Sequence, residues 1–250
     1  MEIDGKVAVV TGGGSGIGRA MCLALAEHGA NIVAADLNLA GAEETAEAVR
    51  KLGRKAVAVQ CDVTVPAQIG EALAKARSEF GRLDIVCNNA GISNRTPLFE
   101  DETGDWVKTV DINLTAVIEG TRQAVRAMQE GRGGVIVNTA SMGGLLPMPG
   151  SPVYAATKAG VVNFTRSLAY LAEEANIRVN AVCPSFTDTP LVREGGEDRM
   201  EEMAKQVGGI LQPEDVAQGV VDLVEDDSRA GAIMRVTVRG GRDYAKEIRP

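Results

Sequence analysis

Several ingredients are scarce. Aromatic residues make up 3% of the 250-residue chain, there is a single Trp, and His28 is the one histidine. The four cysteines, Cys22, Cys61, Cys87 and Cys183, lie far apart and form no C-x-x-C pair. A zinc site needs Cys or His ligands at short spacings, so no metal is expected and the thiols read as reduced core residues. A disulfide framework is not required either, because a chain of this length buries roughly 70% of its unfolded surface unaided. Positive charge is in deficit: 26 Lys and Arg against 34 Asp and Glu leave a net charge of -8. That field repels nucleic acid and anionic membrane surfaces, and an anionic ligand would need local help. No apolar run approaches the ~18 residues of a membrane span. The acidic start Met1-Glu2-Ile3-Asp4 also lacks the basic region and apolar core of a secretory leader. The expectation is a cytoplasmic protein acting on a small molecule, with neither nucleic acid nor membrane as partner.

What the chain does have is an alternation of short β-branched runs with longer stretches of helical apolar spacing, the pattern of repeated βαβ units. Strands are expected near Lys6 to Val10, Asn31 to Ala35, Ala56 to Gln60, Leu83 to Cys87, Val135 to Thr139, Ile177 to Val182 and Ala232 to Val238. Runs such as Val7-Ala8-Val9-Val10 do not alternate with polar residues, as suits strands buried on both faces of a parallel sheet. The fold class is therefore α/β: a doubly wound, mostly parallel, seven-stranded sheet with helices on both faces, of Rossmann type. No linker or repeat divides the chain, so residues 1–250 read as one domain. A helix opens at Ser151-Pro152 and is expected to run to about Ala175. The stretch around 184–211 lacks a strand signal and carries many charges, which suggests a substrate lid.

The segment Thr11-Gly12-Gly13-Gly14-Ser15-Gly16-Ile17-Gly18 follows the first strand and opens the first helix. There, unpaired N–H groups and the helix dipole favour phosphate, and glycine lets a pyrophosphate approach the backbone. The spacing Gly12-x-x-x-Gly16-x-Gly18 differs from G-x-G-x-x-G, yet its strand-to-helix placement points to a dinucleotide held by Gly12, Ser15, Gly16, Ile17 and Gly18. Asp36 ends the second strand 18 residues after Gly18, where a carboxylate accepts from ribose hydroxyls and repels a 2′-phosphate. No Lys or Arg lies between Arg19 and Arg50 to neutralise such a phosphate, so NAD is the expected cofactor. The plainer alternative is that Asp36 begins the turn Asp36-Leu37-Asn38. Asp62 and Val63 after the third strand suit the adenine, with a turn role for Asp62 equally open. Asn88-Asn89-Ala90-Gly91 closes the fourth strand at the same sheet edge.

Ser141 follows the fifth strand, Tyr154 comes thirteen residues later, and Lys158 four further on, one turn along the same helix face. A free phenol of pKa ~10 is a poor base at neutral pH, and lowering it by ~3 units takes ~4 kcal/mol, about the effect of one cation at ~4 Å in an effective dielectric of ~20. Lys158 and a positive nicotinamide would supply it, while Ser141 holds the substrate oxygen. Asn113 in Asp111-Ile112-Asn113-Leu114 needs partners for its amide. Either a water chain from Lys158 provides them, or Asn113 is a satisfied buried amide bracing a strand.

Together these motifs resemble the short-chain dehydrogenase/reductase family, from about Gly5 to Val238. The resemblance implies an Asn113-Ser141-Tyr154-Lys158 catalytic tetrad, with Tyr154 and Lys158 also touching the cofactor. It further implies cofactor contacts from Asn89, Ala90, Gly91, Pro184, Thr187 and Thr189, and often a homotetramer. Within the family, Gly143-Gly144-Leu145-Leu146-Pro147 and Glu225 to Met234 are similar to the NAD-linked hydroxyprostaglandin dehydrogenase group. A secondary alcohol on a largely apolar molecule is the substrate this implies, with Met142, Leu146, Met148, Phe186, Leu191 and Met200 as candidate pocket residues. Two departures stand out: the family's Pro-Gly is here Pro184-Ser185, and its Asp-Gly-Gly is Arg239-Gly240-Gly241. A 3-oxoacyl carrier-protein reductase and a nucleotide sensor without turnover are the competing readings.

Overall fold

The computed structural model describes residues 1–93, 98–129, 133–193 and 196–246. Its strands are β1 (Val7–Thr11), β2 (Asn31–Asp36), β3 (Ala56–Gln60), β4 (Ile85–Asn88), β5 (Gly134–Thr139), β6 (Ile177–Pro184), β7 (Ile233–Thr237) and β8 (Gly241–Tyr244). They form one sheet in the order β3-β2-β1-β4-β5-β6-β7-β8. The first seven run parallel, and β8 is antiparallel to β7.

The helices are α1 (Gly16–Glu27), α2 (Leu39–Lys51), α3 (Pro66–Phe80), α4 (Asp105–Val110), α5 (Ala116–Gln129), α6 (Pro152–Ser167), α7 (Leu171–Ala175), α8 (Pro190–Arg193), α9 (Glu197–Val207) and α10 (Pro213–Glu225). Successive strand residues point to opposite faces, so each strand must feed two cores. Along β1, Ala8 and Val10 join the core shared with α1, α2 and α10, whereas Val7 and Val9 join the one shared with α3 and α5. A third cluster, around Val161 and Val162 of α6 with Ala181 and Cys183 of β6, seats α6 against the sheet. The order in which strands are added reverses between β1 and β4, which opens the crevice at the carboxyl ends of those parallel strands where α/β sheets receive ligands.

Three features differ from the sequence expectation. β8 has no apolar run to announce it; its place is held by the ladder with β7 and by Arg235, whose Nε donates to Asp243 at 2.7 Å. The helix opened by Ser151 stops at Ser167 instead of near Ala175, so that Leu171 can enter the core beneath β6; Asn176, at φ 54, then turns the chain into that strand. The 184–211 region contains α8 and α9, tied down by a bridge between Thr187 and Leu211 and by Arg193 donating to Asp188 at 2.6 Å. Residues 194 and 195 of the expected lid lie outside the described residues.

Candidate active site

The glycine loop is bound tightly to the strand ends around it. Thr11 Oγ1 accepts the N–H groups of Asn89 and Ala90 at 3.0 and 3.2 Å, and Asn89 Nδ2 donates to the Thr11 carbonyl at 3.1 Å. Thr139 Oγ1 donates to Asn89 Oδ1 at 3.2 Å, so the Asn89 side chain knits β1, β4 and β5 together. Gly12 and Gly16 take φ values of 65° and 48°, in the left-handed region that favours glycine. At Gly18 a Cβ would stand 2.0 Å from the Gly12 carbonyl oxygen, so the loop closes only with hydrogen there.

The start of α1 suits an anion. Ser15 is exposed and extended at the N-cap, its side chain makes no capping bond, and the first turn carries no acidic residue. The N–H groups of Gly16, Ile17 and Gly18 therefore keep their dipole without an internal counter-charge. Thr189 reaches the loop from the other side, its Cγ2 lying 3.3 Å from where a Gly16 Cβ would be. Thr187 is buried, with its hydroxyl on the Ser185 carbonyl at 2.9 Å, and Pro184 ends β6 beside β7. This cradle fits a dinucleotide pyrophosphate at the sheet edge.

Asp36 takes the turn role and is held where the ribose role would place it. Oδ1 accepts the Asn38 N–H at 2.8 Å, forming the turn, and Oδ2 accepts the Gly14 N–H at 2.8 Å, which fixes the carboxylate at the mouth of the loop. Each oxygen retains a lone pair for a ribose hydroxyl. The expectation of no nearby cation needs correction, because Arg19 folds back onto the loop and donates to the Gly14 carbonyl at 2.7 Å. Sequence distance from Asp36 hid this contact. Asp62 forms a local turn: Oδ1 accepts the Thr64 hydroxyl and N–H at 2.7 and 2.9 Å, and these bonds hold its carboxyl below the usual range. Val63 and Ala90 line one small cavity of about 10 Å³ with Thr11 and Asn88.

At the other end of the crevice Ser141, Tyr154, Lys158 and Asn113 come together. Ser141 caps the short 3₁₀ turn Met142–Gly144, its Oγ accepting the Gly143 N–H at 3.1 Å. Burial pushes the nearby Cys183 thiol up to about 12 and so keeps it inert. Lys158 is buried, donates to the Thr139 carbonyl at 2.9 Å, and sits 5.7 Å from the Tyr154 ring centre. Burial lowers the Lys158 ammonium to about 8 and raises the Tyr154 phenol, with Ser141 opposing that rise. The expectation that Lys158 helps to depress the phenol is thus corrected for the protein by itself: desolvation dominates.

Asn113 lies in a π-helical turn, Asp111–Thr115, between α4 and α5. Such a turn rotates one residue inward. The amide pairs twice with one neighbour, Oδ1 accepting the Ile92 N–H at 2.9 Å and Nδ2 donating to the Ile92 carbonyl at 2.8 Å. These bonds brace the loop that follows β4 and leave the second Nδ2 hydrogen for another partner. A Cβ on Gly91 would be 3.2 Å from Asn113 Oδ1 and 3.5 Å from Lys158 Nζ, so the absence of a side chain there lets the two groups approach.

A buried polar chain sets α6 in place. Asn88 Nδ2 donates to Asn138 Oδ1 at 2.9 Å, and Asn138 Nδ2 donates to Thr165 Oγ1 at 3.1 Å, linking β4 and β5 to the helix that carries Tyr154 and Lys158. Nothing in the sequence spacing pairs these residues. Of the candidate pocket residues, Met142 packs partly into the third cluster, Leu146 is 57% exposed, and Met148 covers Gly143.

The chain matches the model of the short chain dehydrogenase family over residues 6–200. It is 38% identical to 15-hydroxyprostaglandin dehydrogenase [NAD(+)] of Mus musculus, covering 98% of this chain and 95% of the relative. It is 40% identical to cis-4-hydroxycyclohexanecarboxylate dehydrogenase of Sinomonas cyclohexanicum, over 92% of this chain and 94% of that one. Among solved structures, 3-ketoacyl-(acyl-carrier-protein) reductase from Brucella melitensis complexed with NADH superposes with a TM-score of 0.85 at 33% identity, covering 94% and 97% of the two chains.

Proposed function

The chain belongs to the short-chain dehydrogenase/reductase family and is an oxidoreductase of alcohols and ketones; from that premise we propose that it is NAD-dependent and oxidises a secondary alcohol on a largely apolar molecule. The observation that carries the reading is the Lys158 ammonium 5.7 Å from the centre of the Tyr154 ring, beside Ser141, at the edge of a sheet whose glycine loop is guarded by Asp36.

Gly12, Ser15, Gly16, Ile17, Gly18 and Thr189 would hold the pyrophosphate, Asp36 the adenosine ribose, and Asp62, Val63 and Ala90 the adenine side. Asn89, Gly91, Pro184 and Thr187 would border the nicotinamide half. The dinucleotide, when bound, supplies the hydride acceptor and a positive charge. Ser141 holds the substrate oxygen, and Tyr154 Oη takes the hydroxyl proton. Lys158 stabilises the phenolate form of Tyr154 that accepts this proton and reaches the nicotinamide ribose, while Asn113 braces Ile92. Such base catalysis is worth ~10² to 10⁴ in rate, with positioning supplying much of the remainder.

The group's relatives support the cofactor and substrate class: one is named for NAD(+) and a hydroxyprostaglandin, another for a hydroxylated ring. The resemblance to a carrier-protein reductase complexed with NADH keeps ketone reduction as a second reading. We place the protein in the cytoplasm, where four buried, unpaired thiols would stay reduced, and among the described residues no helix is long and apolar enough to cross a membrane. A homo-oligomer, in the family manner a tetramer, would cover the exposed Phe99, Trp106 and Val107. The segment around 184–211 would act as the substrate lid of a single domain.

The test is incubation with NAD and a panel of apolar secondary alcohols, hydroxy fatty acids and hydroxysteroids among them, following NADH formation. Turnover of one or more supports the proposal. Cofactor binding without oxidation of any alcohol, or reduction of any ketone, would instead favour a nucleotide sensor.

A further inference from the structure

Gly14 is gripped at both ends. Asp36 Oδ2 accepts its N–H at 2.8 Å, and Arg19 Nη2 donates to its carbonyl at 2.7 Å. The guanidinium thus stands one residue away from the carboxylate that would read the ribose. A free cation in this place would attract a 2′-phosphate and undo the work of Asp36.

Arg19 is not free. Its Nη2 also reaches Glu44 Oε2 at 2.8 Å and the Gly41 carbonyl at 3.3 Å, and its Nε donates to Thr45 Oγ1 at 3.1 Å. Glu44 lies on the solvent face of α2, and the two side chains are 37% and 70% exposed. Glu44 is thus joined through Arg19 to the same Gly14 that Asp36 holds, with both side chains open to solvent. We infer that Glu44 is a second determinant of cofactor choice, which neutralises Arg19, turns it away from a 2′-phosphate and adds its own negative charge beside Asp36. The inference rests on the reading of Asp36 as the ribose-side residue and extends it to a pair of carboxylates. As a contact between exposed groups the Arg19–Glu44 bridge contributes little to stability, so its consequence lies in ligand choice.

The magnitude follows from Coulomb's law. A unit charge at ~6 Å through a water-like dielectric changes affinity about threefold per unit of ligand charge, hence about tenfold for a doubly charged phosphate. The experiment titrates the cofactor-free protein with NADH and NADPH by fluorescence, and with adenosine 2′,5′-bisphosphate and adenosine 5′-monophosphate by calorimetry. Glu44→Gln, which keeps the shape of the side chain, should lower the NADPH-to-NADH ratio of Kd values about tenfold. Asp36→Asn should do the same alone, and the double variant should exceed the product of the two because the released guanidinium then binds the phosphate. Adding Arg19→Gln to the double variant should withdraw that excess.

A wild-type preference for NADH with a ratio unmoved by Glu44→Gln overturns the inference and leaves the Asp36 reading intact. An excess that survives Arg19→Gln also overturns it. A wild-type ratio near one removes the Asp36 reading, and this inference with it.

Discussion

Replacing Lys158 by Met separates what this amine does for the reaction from what it costs the fold. Burial lowers its pKa from 10.5 to about 8. At about 1.36 kcal/mol per pH unit, the drop amounts to roughly 3 kcal/mol of strain on the charged form. Below pH 8 the amine is protonated in both folded and unfolded chains, and the penalty is borne in full. Between 8 and 10.5 the unfolded chain binds more protons than the folded one, so wild-type stability gains from this group as pH rises. Above 10.5 both forms are neutral and the penalty has gone. Methionine removes the penalty at every pH but strands the Thr139 carbonyl that Lys158 now satisfies at 2.9 Å, a loss of about 1 to 2 kcal/mol. The variant should therefore be more stable than wild type by about 1 to 2 kcal/mol at pH 7 and less stable by a similar amount near pH 10.5. Activity should meanwhile fall by at least about 10². Urea unfolding of both proteins at pH 7, 9 and 10.5 reads the difference, and contributions common to both cancel. A stability difference that does not change with pH would refute the assignment of a desolvated ammonium at this position.

Tyr154→Phe removes the proton acceptor alone; kcat should drop by about 10² to 10⁴ while the NADH dissociation constant, read by fluorescence, changes less than about twofold. Asn113→Ala orphans the N–H and carbonyl of Ile92 and should lower stability by about 2 kcal/mol, a fall of about 4 to 8 °C in Tm by calorimetry. Gly18→Ala puts a Cβ on the Gly12 carbonyl, a backbone atom that cannot yield, so NADH affinity should weaken at least about tenfold. Gly150→Ala, which meets nothing within 4 Å, is the matched control and should match wild type in the same titration.

The architecture was legible where physics acts between near neighbours in the chain. Val7 to Val10 and Val135 to Val137 announced buried strands because parallel strands take apolar side chains on both faces. Tyr154 and Lys158 were legible as a pair because one helical turn aligns them. What escaped depends on contacts through space. Arg19 meets the residue that Asp36 holds only because α1 brings it back onto Gly14, and Asn113 finds two partners on Ile92, in the loop after β4. The Asn88–Asn138–Thr165 chain joins residues 50 and 27 positions apart, a separation that no periodicity records. β8 escaped for the opposite reason: at a sheet edge the backbone ladder and the Arg235–Asp243 pair replace the apolar run that marks an inner strand.

The position of β4 beside β1 has a consequence for synthesis on the ribosome. β1, β2 and β3 can pair as they emerge, but the other side of β1 stays bare until Ile85–Asn88 has left the exit tunnel. During that interval a nascent chain of some eighty residues presents unpaired amides along an apolar ribbon, the kind of edge that recruits chaperones or neighbouring chains. The Thr11–Asn89 latch closes at the same moment, so a truncated product ending before it would carry the complete glycine motif in its sequence and yet be unable to shape it.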